Sequence, residues 1–233
     1  MRIAPIEIGS IPALLYGEPA GKAFLYVHGK SASKESAAGF ASLATARGYQ
    51  VLSFDLPRHG DRMDDATPCD ARDGSRDVRA VYDYLAGDYE TTSLFACSLG
   101  AYFSLLAFRD VAFGRCLFLS PILDMERLIR NMMSWSGVTE DRLRESGEIA
   151  TDFGETLSWD YYRYATAHPV DRWPSPTSIL YGERDDITER PVLDEFASRF
   201  GCDVTVMQDG EHYFHTPEQL DYLTRWMTER LSQ

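Results

Sequence analysis

Ser98 has the surroundings expected of a nucleophile. A short β-prone run, residues 92–97, leads to it, and apolar residues with helical spacing follow at Tyr102, Leu105 and Leu106. The serine therefore lies at a corner between a predicted strand and a predicted helix. A hydroxyl held at such a corner stands clear of both elements and can attack a carbonyl carbon.

The neighbours of Ser98 meet the steric demand of this corner. The backbone there takes a strained conformation, which requires small residues two positions before and two positions after the serine. Ala96 and Gly100 occupy those positions. Taken alone, the motif A-x-S-x-G fits a serine that only caps the following helix equally well. Cys97 is a less favoured candidate for the nucleophile.

Two loops nearer the C-terminus contain candidates for an acid and a base. Asp185 and Asp186 follow a predicted strand, where a carboxylate can orient a histidine and stabilise its protonated form. Their positions leave both open as the acid, because either one can instead cap the next helix. His212 lies in the loop after a strand predicted over 204–207, whereas His215 lies against the start of the last helix. His212 is therefore the favoured base.

The loop after the third predicted strand is a candidate oxyanion site. The apolar run 23–27 ends at His28-Gly29-Lys30, and a glycine there allows backbone N–H groups to turn towards a pocket. In an acyl-transfer enzyme the N–H groups of Lys30 and Leu99 would be the two donors to the oxyanion. A plain turn is the alternative, and His28 is expected to organise the loop rather than to take part in catalysis.

Eight segments have the composition of strands, and helical patterns separate most of them. The first two alternate around Gly9-Ser10 and predict a hairpin, whereas the later ones are nearly continuous apolar runs, as in strands buried on both faces. Strands that alternate with helices predict parallel βαβ units, and hence a mostly parallel sheet with helices on both faces. The Asp-rich segment 61–73 is expected to be a solvated loop. The strands are predicted at 2–8, 11–16, 23–27, 51–54, 92–97, 115–119, 178–181 and 204–207.

Residues 121–175, which we call the cap segment, interrupt this alternation. They contain a dense set of Met, Trp and Tyr residues on helical patterns with little β character. We expect a helical insertion that covers the site and forms an apolar substrate pocket. Ordinary packing helices are the alternative.

These motifs resemble the α/β-hydrolase superfamily. The order Ser98, Asp185, His212 matches the family's catalytic triad, with each member at the carboxyl end of its own strand. The resemblance implies an eight-stranded α/β-hydrolase fold, and it assigns the acid to Asp185 and the base to His212. Ala96 and Arg58 depart from the family pattern, which has glycine at both positions. The supporting matches are His28-Gly29, the Asp55-Leu56-Pro57-Arg58-His59-Gly60 loop, Gly182-x-x-Asp185 and Gly210-x-His212.

The resemblance further implies a serine hydrolase that cleaves a carboxylic ester of a small or medium acyl substrate. The triad works without a metal or an organic cofactor, and the sequence contains no motif for either. Amides or peptides, thioesters and carbon–carbon bonds are substrates open to the same triad. A non-catalytic, ligand-binding protein of the same fold is the alternative from another class.

Composition sets the remaining expectations. With 233 residues the chain is expected to form one domain, and its net charge of −13 disfavours nucleic acid and anionic membranes as partners. The sequence shows neither a signal peptide nor an apolar run of the roughly 18 residues that a membrane span needs, so a cytoplasmic protein is expected. The four cysteines lack metal-binding spacing and are expected to be free thiols. The sequence does not indicate an oligomeric state.

Overall fold

The inner strands of the sheet are built from apolar runs because helices cover both faces of the sheet there. The computed structural model describes residues 1–233. Its ten strands are β1 (Ile3–Ile8), β2 (Ile11–Tyr16), β3 (Lys22–Val27), β4 (Tyr49–Phe54), β5 (Thr91–Cys97), β6 (Cys116–Leu119), β7 (Glu148–Ala150), β8 (Thr156–Ser158), β9 (Thr177–Gly182) and β10 (Asp203–Met207).

Eight of these strands form the central sheet, in the order β1-β2-β4-β3-β5-β6-β9-β10. The pairs β1/β2 and β2/β4 are antiparallel, and all other neighbours in the sheet are parallel. The predicted eight-stranded, mostly parallel sheet is therefore confirmed. Because the six strands from β4 to β10 in this order run parallel, the loops at their carboxyl ends all lie along one edge of the sheet.

Eight α-helices accompany the strands. Helices α1 and α8 pack on one face of the sheet, where their side chains belong to a core cluster of 16 buried residues. Helices α2 to α7 contribute to a cluster of 39 buried residues on the other face. The helices are α1 (Ala38–Thr45), α2 (Ala71–Leu85), α3 (Leu99–Ala107), α4 (Met125–Trp135), α5 (Glu140–Ser146), α6 (Trp159–Ala167), α7 (Arg190–Phe200) and α8 (Pro217–Leu231). None of them has both the length and the apolar composition needed to cross a membrane.

The Asp-rich segment 61–73 differs from the solvated loop that the sequence suggests. Asp70 caps α2 by accepting hydrogen bonds from the N–H groups of Arg72 and Asp73, so the helix begins inside this segment. The side chain of Arg62 is buried and lies 2.8 Å from the carboxylate of Asp77. Residues 63–69 are irregular and exposed or half-buried, in agreement with the expectation, which fails only at the two ends of the segment. A buried ion pair between distant residues leaves no periodic signal in the sequence.

The cap segment contains α4, α5 and α6, and it also contains a small antiparallel sheet formed by β7 and β8. This sheet is absent from the sequence-based interpretation, because strands of three residues are too short to show an alternating pattern. The last part of the segment packs against the central sheet, where the buried ring of Trp173 lies 5.6 Å from that of Phe118.

Candidate active site

Ser98 lies between the end of β5 and the first residue of α3, in a strained backbone conformation. Its φ of 47° and ψ of −115° fall outside the regions that non-glycine residues ordinarily occupy. The corner brings α3 close to the end of β3, because a Cβ atom on Gly100 would lie 2.3 Å from the backbone oxygen of His28. The glycine two positions after the serine is therefore a steric requirement of this turn.

His212 joins Ser98 to Asp185. The Oγ atom of Ser98 lies 2.8 Å from Nε2 of His212, and Nδ1 of His212 lies 2.8 Å from Oδ2 of Asp185. The Asp185 side chain is fully buried, and that of His212 is 15% exposed. Three residues from three different loops thus form one continuous series of hydrogen bonds.

The loops after β9 and β10 are built to hold this geometry. Asp185 Oδ1 accepts hydrogen bonds from the N–H groups of Ile187 at 2.9 Å and Thr188 at 2.8 Å, which leaves Oδ2 for His212. The two loops also touch directly, since a Cβ atom on Gly182 would lie 2.4 Å from the backbone oxygen of Glu211. These backbone contacts set the distance between the aspartate and the histidine.

The alternative candidates lie elsewhere. Asp186 is exposed and forms no hydrogen bond or ion pair with His212 or His215. His215 is exposed, its Nδ1 lies 2.8 Å from the backbone oxygen of Tyr213, and its ring stacks on that of Tyr213. Burial raises the pKa of the Cys97 thiol to about 12, with a further contribution from the negative charge of Asp185. That thiol remains protonated at neutral pH and is a poor nucleophile.

The candidate oxyanion donors lie on either side of Ser98. Leu99 is the first residue of α3, where a backbone N–H has no acceptor within the helix. The N–H of Lys30 donates no hydrogen bond to any group of the chain. Lys30 directly follows Gly29, at which a Cβ atom would lie 3.2 Å from Cβ of Ser98. The Leu99 N–H thus belongs to the residue directly after the serine. The Lys30 N–H belongs to the residue directly after Gly29, which lies against the serine.

His28 links the loop after β3 to the loop after β4. Its Nε2 accepts a hydrogen bond from the N–H of Leu56 at 3.1 Å, so its Nδ1 carries the proton and donates to the backbone oxygen of Gly29 at 2.7 Å. Burial lowers the pKa of His28 to about 4, and the neighbouring His59 ring, 5.1 Å away, adds to this. The imidazole is therefore neutral at physiological pH and serves as a fixed bridge between the two loops.

A buried ion pair that local sequence patterns do not reveal supports the same two loops. The fully buried carboxylate of Asp55 accepts hydrogen bonds from the N–H of Lys34 at 2.8 Å and from its Nζ at 2.7 Å, and from the N–H of Asp61 at 3.0 Å. Burial lowers the pKa of Lys34, but hydrogen bonds to Asp55, Asp61 and Glu35 outweigh burial and raise it above its ordinary value. An aspartate directly after a buried strand is the one sequence signal that pointed to this pair.

The triad lies apart from the main apolar cleft of the molecule. A cleft lined mainly by apolar residues lies between α4, α6 and α7 and reaches Tyr102, but Ser98, Asp185 and His212 do not line it. No group of three or more His, Cys, Asp or Glu residues is arranged to hold a metal ion.

The comparisons with known proteins agree with the fold. A model of the alpha/beta hydrolase family matches residues 24–223, and the chain belongs to that family. No curated protein sequence matches the chain. Est1E from Butyrivibrio proteoclasticus, in its structure with bound ferulic acid, is 19% identical, with a TM-score of 0.78 and 98% of each chain covered.

Two further solved structures are similar over their whole length. Alpha/beta hydrolase domain-containing protein 10 from mouse is 14% identical, with a TM-score of 0.75, and the match covers 100% of this chain and 99% of that one. A monoacylglycerol lipase from Paleococcus ferrophilus is 18% identical, with a TM-score of 0.68, and the match covers 99% of this chain and 98% of that one. At such identities the likeness is one of fold.

Proposed function

We propose that this protein is a serine hydrolase that cleaves a carboxylic ester of a small or medium acyl substrate through an acyl-enzyme. The observation that carries the proposal is the hydrogen-bonded series from Ser98 Oγ to His212 Nε2 and from His212 Nδ1 to Asp185 Oδ2, with 2.8 Å in each step. A hydroxyl, an imidazole and a buried carboxylate in this order can generate a nucleophile at neutral pH.

In the proposed reaction His212 takes the proton of Ser98 as the hydroxyl attacks the carbonyl carbon. Asp185 holds the imidazole in the tautomer that presents an unprotonated Nε2, and its charge stabilises the imidazolium that forms. The N–H groups of Lys30 and Leu99 would stabilise the oxyanion, each by roughly 3 kcal/mol. His212 then protonates the leaving alcohol, and water releases the acyl group by the same steps.

The structural relatives favour an ester over the other substrates open to this triad. One is a monoacylglycerol lipase, and another, Est1E, is described with bound ferulic acid. Thioesters, amides or peptides, and carbon–carbon bonds are the alternatives for the same residues, and a non-catalytic binding protein is the alternative without turnover.

We further propose that the whole chain forms one domain and that the cap segment forms the wall of its substrate pocket. Contacts at both sides of the candidate site support this role. Glu155 of the cap segment pairs with Lys30, and Arg127 of α4 lies 2.9 Å from Glu189, which follows the loop of Asp185.

The decisive experiment compares the wild type with Ser98→Ala. We expect wild-type turnover on a series of p-nitrophenyl esters of increasing acyl length, supplemented by methyl ferulate as an aromatic ester. In Ser98→Ala, kcat should fall by about 10⁴- to 10⁶-fold with an unchanged circular dichroism spectrum, because the nucleophile is lost. The control variant Cys97→Ala should stay within a few-fold of the wild type, since its thiol is protonated.

A fluorophosphonate probe tests the nucleophile without a choice of substrate. Mass spectrometry should find the phosphonyl group on Ser98 in the wild type and on no serine of Ser98→Ala. Labelling without ester turnover would indicate that the substrate is an amide, a thioester or a compound with a cleavable carbon–carbon bond. Absence of both labelling and turnover would contradict a serine hydrolase and favour a binding protein.

A further inference from the structure

A tight turn in the cap segment presents Glu155 in a fixed position. The turn, residues 151–155, joins β7 to β8. The N–H and the hydroxyl of Thr151 both lie 2.8 Å from the backbone oxygen of Glu155, and the Glu155 N–H donates to the Thr151 hydroxyl at 3.1 Å. Gly154 completes the turn with a φ of +85°. Three hydrogen bonds to its own N–H and carbonyl groups leave the backbone of Glu155 little local freedom.

The carboxylate of Glu155 reaches across to the loop after β3, where it pairs with the ammonium group of Lys30. The two residues are 125 positions apart in the sequence. The Lys30 side chain is 51% exposed and that of Glu155 is 33% exposed, so the pair lies at the surface. The contact therefore joins the cap segment to the residue whose backbone N–H is a candidate oxyanion donor.

The loop that Glu155 contacts is held firmly at its ends and less firmly between them. His28 anchors one end through the N–H of Leu56, and Lys34 anchors the other end through Asp55. Between these anchors Ser31 has a φ of +60°, a conformation that L-residues rarely adopt. Such strain persists only where surrounding contacts hold it, and the Lys30–Glu155 pair is a contact of this kind from outside the loop.

The cap segment is also attached at the opposite side of the candidate site. Phe153, in the same turn as Glu155, packs edge-on against Trp135 at the end of α4, with 6.0 Å between the ring centroids. Helix α4 in turn holds Glu189, which accepts hydrogen bonds from Arg127 at 3.0 Å and Asn131 at 3.1 Å. The α4 helix and the turn together bridge from the β9 loop to the β3 loop.

We infer that Glu155 is a positioning residue for the reaction proposed above. By pairing with Lys30 it holds residues 29–33 so that the Lys30 N–H is available to the oxyanion, and the oxyanion site is complete only when the cap segment is seated. The inference rests on the proposed serine hydrolase activity.

Charge reversal with rescue tests this role. Glu155→Lys and Lys30→Glu should each lower kcat by about five- to tenfold with KM changed less than twofold, because displaced catalytic groups slow the chemical step. The double variant Lys30→Glu/Glu155→Lys should recover to within about twofold of the wild-type kcat, since the pair is restored in the opposite order. The Lys30 backbone N–H is unaltered in all of these variants.

The matched control is Asp141→Lys, which reverses another exposed carboxylate of the cap segment that pairs only with Arg144 on its own helix. It should leave kcat and KM unchanged. Equal losses in Asp141→Lys and Glu155→Lys, or a double variant no better than the single ones, would overturn the positioning role. A rise in KM at constant kcat would also overturn it, because Glu155 would then act in substrate binding.

Hydrogen exchange separates this inference from the proposed function. Even if no ester is turned over, Glu155→Gln should speed amide exchange in residues 29–33 relative to the wild type and to Asp141→Asn. Equal exchange in the three proteins would show that Glu155 does not hold the loop, whatever the activity.

Discussion

The β4 and β9 loops each bury one aspartate completely, and the two carboxylates differ mainly in their third partner. Asp55 directly follows β4, and Asp185 lies three residues after the end of β9. Each carboxylate accepts two hydrogen bonds from backbone N–H groups. The remaining contact of Asp55 is the ammonium group of Lys34 at 2.7 Å, whereas that of Asp185 is the imidazole of His212 at 2.8 Å.

The chemistry of that partner separates the two roles. Asp55 belongs to a structural ion pair, whereas Asp185 belongs to a candidate catalytic pair. The pKa of Lys34 is raised by its carboxylate neighbours, so its charge is permanent and the Asp55 pair can only fix the two loops that it joins. A neutral imidazole can accept a proton on its free nitrogen and later release it, and Nε2 of His212 faces Ser98. Burial of a carboxylate is therefore not sufficient evidence for catalysis, because the partner's ability to exchange a proton decides the role.

The largest effect in this comparison is expected from Asp185→Asn. The asparagine oxygen can keep both backbone hydrogen bonds, but its amide group would donate to His212 Nδ1 and place the imidazole proton on Nε2, facing Ser98. We expect kcat for the best ester to fall by about 10⁴-fold with a small change in Tm. A loss of less than tenfold would remove Asp185 from the triad.

Asp55→Asn should have the opposite profile. The isosteric change leaves the buried Lys34 charge without its closest carboxylate, which costs about 3 kcal/mol of unfolding free energy, although Asp61 still contacts the ammonium group. We expect Tm to fall by about 10 °C. The kcat per folded molecule should stay within about threefold of the wild type, because the asparagine oxygen can still accept the Lys34 N–H that anchors the loop after β3. A 10⁴-fold loss of kcat at unchanged Tm would show that the two aspartates do not differ as described.

A smaller, pH-dependent effect is expected from His28→Gln. Because the pKa of His28 is lowered from 6.5 to about 4 in the folded protein, the unfolded chain binds the proton at higher pH than the folded one. Stability is therefore lost as the pH falls from about 6.5 to about 4. From pH 7 to pH 4.5 we expect the wild type to lose roughly 2 to 3 kcal/mol more unfolding free energy than His28→Gln. Glutamine can still accept the Leu56 N–H.

Urea denaturation of both proteins at the two pH values measures this difference. Parallel losses in the wild type and the variant would mean that His28 does not resist protonation in the fold. Groups other than His28 would then account for the loss of stability at low pH.

The sequence by itself determined the order of the main strands and several element ends, because these depend on local rules. Helix α8 begins at a capping box formed by Thr216 and Gln219, with Pro217 at the first helical position, and this signal is local to the sequence. The corner at Ser98 also lies where small residues and a change of periodicity put it. The strand ends of the central sheet lie within two residues of the predicted ones, and β2 has the predicted bounds.

Only the tertiary structure decided which distant side chains meet. Whether Asp185 or Asp186 faces a histidine depends on the direction of each side chain in the turn. Residue type and spacing alone allow either aspartate to be the acid, and only the resemblance to a family favoured Asp185. The Lys34–Asp55 pair and the Lys30–Glu155 pair join residues 21 and 125 positions apart. Nothing in the local sequence encodes such contacts, because they arise when parallel strands bring their loops to one edge of the sheet and a distant turn, residues 151–155, meets one of those loops.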